Sequence, residues 1–181
     1  MKSQLEKIAK ENPNYQSQNS IYASLKSEVR QSLSKEQEDF VRFLDKFEAP
    51  YVEEKLLKDG KFESSEEYKE AFTEFKKYMT LIKLYGGKIS MASKKVDEVW
   101  HQFILFTPQY HKFCDNFFEG YLHHMPKTSR TPLNRDSKHN FIKNYRSVFG
   151  EISRLWNVKS KSDPCDACGP DVCAPDDYFP N

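Results

Sequence analysis

The chain has 181 residues, and its 28 Lys and Arg against 27 Asp and Glu leave a net charge of +1. That length suits one domain with a real core, and the charge balance argues against a broad basic surface for nucleic acid. No stretch approaches the roughly 20 apolar residues that span a bilayer, and Met1-Lys2-Ser3-Gln4-Leu5-Glu6-Lys7 lacks the apolar core of a secretory signal.

A cytoplasmic protein without a membrane partner is therefore expected, its four cysteines serving as thiols or metal ligands instead of disulfides. Fourteen Phe, ten Tyr and two Trp supply large rings for a core that the aliphatic count would leave thin.

Residues 1–17 are polar and read as an arm. Ile21, Tyr22, Leu25 and Val29 give a weak helical stripe. Ser34 followed by Gln37 matches a capping box, and Phe40, Phe43, Leu44 and Phe47 then share one face up to the stop at Ala49-Pro50. A short amphipathic piece from Tyr51 to Leu57 ends at the turn signal Asp59-Gly60. Ser64 followed by Glu67 opens the best-marked helix, with Tyr68, Ala71, Phe72, Phe75, Met79 and Ile82 in register until Gly86-Gly87.

Ser93 is a candidate N-cap for a helix carrying Val96, Trp100, Phe103 and Ile104. Thr107-Pro108 closes it and starts another, which places Tyr110, Phe113, Cys114 and Phe117 together and stops near Gly120. Residues 121–137 read as a loop. A last helix carries Phe141, Ile142, Tyr145, Val148, Phe149, Ile152, Leu155 and Trp156. Lys/Glu-rich faces read as ordinary solvated helix surface. No period-2 run is long enough for a strand, and there is no internal repeat. The expected fold is all-α: a single-domain bundle of about six helices over residues 18–157, followed by a Cys-, Pro- and Asp-containing tail over 158–181.

Chemistry concentrates between Asp97 and Pro126. Asp97 and His101 are one helical turn apart, at the border of the apolar face, so the carboxylate can fix the imidazole or join it as a metal ligand. Cys114 faces the same interior from the next helix. His123 and His124 follow one loop later, and only one of them can easily point inward. Folded as a hairpin, the segment brings His101, Cys114 and one of His123/His124 together with Asp97. Imidazole and thiolate with a carboxylate suit Zn²⁺, with iron and copper as alternatives.

Two other readings use the same residues. Cys114 on an aromatic face also fits a small core side chain, with His101 bonding across the hairpin and the His123-His124 loop capping the bundle. Nucleophilic catalysis by Cys114, with His101 or His123 as base and Asp97 as orienter, meets an electrostatic objection: a thiol among Phe rings lacks the cationic neighbour that would ionise it.

A rival site lies in the tail, where Cys165, Cys168 and Cys173 form C-x2-C-x4-C around Gly169-Pro170. That is half of a zinc or iron–sulfur site, to be completed by the body, a tail aspartate or a protein partner.

The blocks Val96-Asp97-Glu98-Val99-Trp100-His101, Thr107 with Tyr110 and Phe113-Cys114, and His123-His124-Met125-Pro126 resemble the core pattern of the glycine-rich domain-containing protein family, and more closely its small bacterial and phage relatives. The likeness covers about residues 65–126 well, the last helix loosely and the N-terminal third hardly at all. It implies that Asp97, Trp100, His101, Tyr110, Cys114, His123 and His124 form one constellation, and it implies no particular reaction. Several such relatives end in Cys- and Gly-rich tails, a feature matched here only in part. Two functions follow as expectations: a zinc-type metal site of unassigned chemistry, or an adaptor whose His/Cys network is structural and whose tail meets a partner.

Overall fold

The computed structural model describes residues 20–86, 89–118, 120–124 and 135–156. The expected 1–17 arm and the tail with Cys165, Cys168 and Cys173 lie outside these. The described residues are all-helical: α1 (Ile21–Ser24), α2 (Ser27–Ser32), α3 (Lys35–Lys46), α4 (Pro50–Lys58), α5 (Ser65–Tyr85), α6 (Lys94–Leu105), α7 (Thr107–Phe117) and α8 (Arg135–Phe149), then a 3₁₀ turn at Arg154–Trp156. Among them no helix is long and apolar enough to cross a membrane.

Local signals set most of the boundaries. Ser34 and Gln37 form the reciprocal capping box that starts α3, and Pro50 sits in the first turn of α4. The Ser64 hydroxyl accepts from the Glu67 N–H to start α5, and Gly86 ends that helix in the left-handed conformation (φ +75°). Eight helices form among the described residues, with the weak Ile21–Val29 stripe divided into α1 and α2. Asp45 of α3 explains the first of these: its carboxylate accepts the Ile21 and Tyr22 N–H groups and the Ser20 hydroxyl, capping α1 from outside.

The last helix is shorter than its apolar spacing suggests. It stops at Phe149, where Gly150 turns left-handed (φ +88°), and Trp156 returns to the core from the 3₁₀ turn.

α5 is the axis. Tyr68, Ala71, Phe72, Phe75, Tyr78, Met79, Leu81 and Ile82 are buried around much of its circumference, and it packs against α1, α3, α4, α6 and α8. Phe40 and Phe43 of α3 and Phe47, which caps it, meet Phe103 of α6 and Phe113 and Phe117 of α7 at ring separations of 4.3–6.3 Å.

One carboxylate lies inside this core. Glu74 of α5 is buried, although the Lys/Glu pattern reads as solvated surface. It accepts from the Tyr145 hydroxyl (2.8 Å), from Trp156 Nε1 (2.6 Å) and from Lys77 Nζ (2.9 Å). A charge this deep is tolerated because each oxygen has a donor. The bonds fasten α8 and the final turn to the axis.

Glu74→Ala leaves the Tyr145 hydroxyl and the Trp156 N–H without their acceptor and should cost about 3 kcal/mol, against about 1 for Glu74→Gln. Urea unfolding of the two variants measures this, and a loss below about 1 kcal/mol for the alanine would refute the clamp.

Candidate functional site

Ser93 starts α6 by accepting from the Val96 N–H. Val96, Val99, Trp100 and Phe103 then turn into the core, which leaves Asp97 and His101 on an adjoining, partly exposed face. Asp97 also stands in the first turn, where the helix dipole favours a carboxylate. Phe106 links α6 to α7, and Tyr110, Phe113 and Cys114 of α7 are buried.

A hydrogen-bond relay ties the following loop to this helix pair. Trp100 Nε1 donates to the Tyr110 hydroxyl at 3.1 Å, and that hydroxyl donates to the Leu122 carbonyl. Leu122 held in place brings His124 over the indole of Trp100, with rings 4.1 Å apart and 21° from parallel. His124 then meets α6 from the side. Its Nε2 is 2.9 Å from Asp97 Oδ1, while His101 Nε2 is 3.9 Å from Asp97 Oδ2. The two imidazole rings are 4.6 Å apart.

Asp97, His101 and His124 thus offer three ligand atoms within 4.8 Å of one another. Of the two adjacent histidines it is His124 that joins Asp97. His123 is exposed and lies against Tyr121, with rings 4.9 Å apart. Cys114 is buried but stands outside the three-residue group.

Burial pushes the Cys114 thiol's pKa up, outweighing the Leu122 N–H and the Tyr110 hydroxyl that favour its thiolate. Burial raises the Tyr110 pKa as well, so its hydroxyl stays protonated and able to donate. His111 and His139 are exposed, as their polar surroundings suggest.

The short Asp97–His124 approach is not a hydrogen bond. His124 Nε2 is buried and has no hydrogen-bond partner, although Asp97 Oδ1 is only 2.9 Å away. Distance and direction disagree, and direction decides: a ring nitrogen bonds only in the plane of its ring. A ring nitrogen left in this way beside a carboxylate and a second imidazole belongs to a group that could hold a metal ion. For tetrahedral Zn²⁺ with bonds of about 2.0–2.1 Å, the ligand–ligand edge is about 3.3 Å. The 2.9 Å from His124 Nε2 to Asp97 Oδ1 is a little shorter than that edge, and the 3.9 Å from His101 Nε2 runs to the other oxygen, Oδ2, and is longer.

Residues 36–151 match the model of a protein family described as UCP032817-like, well over half of the chain. This match corrects the likeness to glycine-rich domain-containing proteins. The V-D-x-x-W-H, T-x-x-Y-x-x-F-C and H-H-x-P blocks belong here to a different family, in a chain with only six glycines. The short blocks misled because their Trp, Tyr, Phe and Cys serve the packing of one helix pair and its loop. No curated protein and no solved structure matches the chain.

Two measurements probe this environment. Tyr110→Phe orphans both Trp100 Nε1 and the Leu122 carbonyl and should lower stability by about 2 kcal/mol in urea unfolding. With Cys165, Cys168 and Cys173 changed to Ser, the remaining Cys114 should react with iodoacetamide at pH 8 about tenfold slower than free cysteine. Its rate should keep rising where a free thiol has levelled off, because the raised pKa moves ionisation to higher pH. Reaction as fast as free cysteine would contradict the burial.

Proposed function

The chain is a member of the UCP032817-like family, and on that premise we propose that it is a metal-binding protein, holding a transition-metal ion at Asp97, His101 and His124. The observation that carries this reading is His124 Nε2, a buried ring nitrogen without a hydrogen-bond partner, beside a carboxylate and a second imidazole. An orphaned polar atom of this kind costs about 1–3 kcal/mol. An ion between the three side chains removes that cost and uses every donor. Zn²⁺ is the first candidate, since two imidazoles and a carboxylate suit it, and iron and copper share the same donor preference.

Cys114 stays outside the proposed ligand set. Its raised pKa disfavours the thiolate that a metal requires, and its neighbours Tyr110 and Leu122 account for its position. The same objection weighs against the nucleophilic reading, which needs an ionised thiol. The alternative of an adaptor with a structural polar network predicts an aligned bond between His124 and Asp97. The orientation of the imidazole favours the metal instead.

Elemental analysis of protein purified without chelators should find about one transition-metal equivalent per chain. Asp97→Asn and His124→Ala should each weaken Zn²⁺ binding at least about tenfold in competition with a chromophoric chelator. The Cys165→Ser/Cys168→Ser/Cys173→Ser variant should keep the ion. Loss of metal in that variant alone would place the site in the tail, and a metal-free parent that takes up no Zn²⁺ would end the proposal.

A further inference from the structure

We infer that the ion held by Asp97, His101 and His124 keeps an exchangeable coordination position, filled by water and open to small anions; this rests on the metal reading above. The burial of the three ligands is uneven. The His124 side chain is only 7% exposed, whereas Asp97 is 32% and His101 42% exposed. His124 and the Trp100 ring beneath it form a closed wall, and the α6 side faces water. An ion within bonding reach of all three donor atoms would thus be closed off on the His124 side and be held on the other by two side chains that are partly open to solvent.

The ligands are also positioned without help from a metal. Asp97 and His101 occupy successive turns of a helix whose other face is buried in the core. His124 is set by its stack on Trp100 and by the relay through Tyr110 to Leu122. A structural zinc joins segments that would otherwise separate, and it does so with four protein ligands. Here the segments are already joined, so the ion has no such work.

Charge selects the class of ligand. A divalent ion with two neutral imidazoles and one carboxylate keeps a net charge of +1. The open position thus favours a hydroxide, a carboxylate or an inorganic oxyanion over a neutral molecule, and the bound water becomes more acidic than bulk water. Binding is an exchange at the metal: water leaves as one lone pair of the anion takes its place. No electron is transferred.

Co²⁺ in place of Zn²⁺ reports this directly, with azide as the probe. The full chain loaded with one equivalent of Co²⁺ should show visible d–d bands that shift and saturate as azide is added, without a thiolate-to-cobalt charge-transfer band. Chelation of the ion should leave the helical circular dichroism in place.

Co²⁺ bound one to one with bands indifferent to azide would mean a closed coordination sphere and overturn the inference while leaving the metal site intact. An azide response that emerges only after Cys165, Cys168 and Cys173 are changed to Ser would overturn it too, by placing a tail thiolate in the fourth position. Collapse of the helical signal on chelation would make the ion a staple and contradict the metal-independent scaffold. Failure to bind Co²⁺ or Zn²⁺ at all would remove the metal reading and this inference with it.

Discussion

A helix that is apolar over much of its circumference has to be enclosed, and α5 imposes that demand on the whole chain. Its 21 residues bury large side chains toward five other helices. A single amphipathic stripe needs one neighbour, whereas a helix of this kind dictates a shell. α6 lies in that shell with the rings of Trp100 and Phe103 turned inward. Its remaining face, with Asp97 and His101, is therefore placed by packing before any ligand is considered. Glu74 is a polar exception within the axis. Its three hydrogen-bonded donors turn a buried charge into an anchor for the C-terminal elements.

The candidate site depends on a second, smaller constraint. The stretch 120–124 has no helix or strand of its own to fix it. Its position comes from the Tyr110 hydroxyl, which accepts from Trp100 and donates to Leu122. A rigid helix pair thus lends its order to an irregular segment, and a histidine on that segment acquires a defined neighbour. The relay lies within the protein, whereas Asp97 and His101 stand on a partly exposed face beside the buried His124 Nε2. Support and chemistry are separated in this way in many metal sites.

The helices were legible where local chemistry decides them. Ser34, Ser64 and Ser93 all cap the helices assigned to them, and Gly86 ends α5 as its position suggests. Periodicity failed where tertiary contact decides. Asp45 caps α1 from another helix, and spacing alone does not expose that. Ile152, Leu155 and Trp156 continue the helical register of α8, yet Gly150 ends the helix first. Glu74 falls within the Lys/Glu pattern of a solvated surface, although it lies three residues after Ala71 and four before Tyr78, at the margin of the apolar stripe. Its partners Tyr145 and Trp156 are too distant in sequence to be inferred.

For the site, the pairing of Asp97 with His101 follows from one helical turn. The choice between His123 and His124 does not, although neighbouring side chains on an irregular chain tend to diverge: Tyr121 and His123 face each other, while His124 covers Trp100. The placement of Cys114 outside the three-residue group could not be read from its helix face. That face is shared with Tyr110, whose hydroxyl meets the loop at Leu122.

Trp156 has a bearing on where this chain's core ends. It is fully buried, with Tyr78, Phe141 and Tyr145 around its indole, yet it lies beyond residue 151, where the family match ends. At the other end Ile21 and Leu25 are buried as well, ahead of the match's beginning at residue 36. The family match thus covers an inner portion of the packed core, which among the described residues runs from Ile21 to Trp156. A fragment of this chain cut to the matched residues would leave out side chains that complete this core.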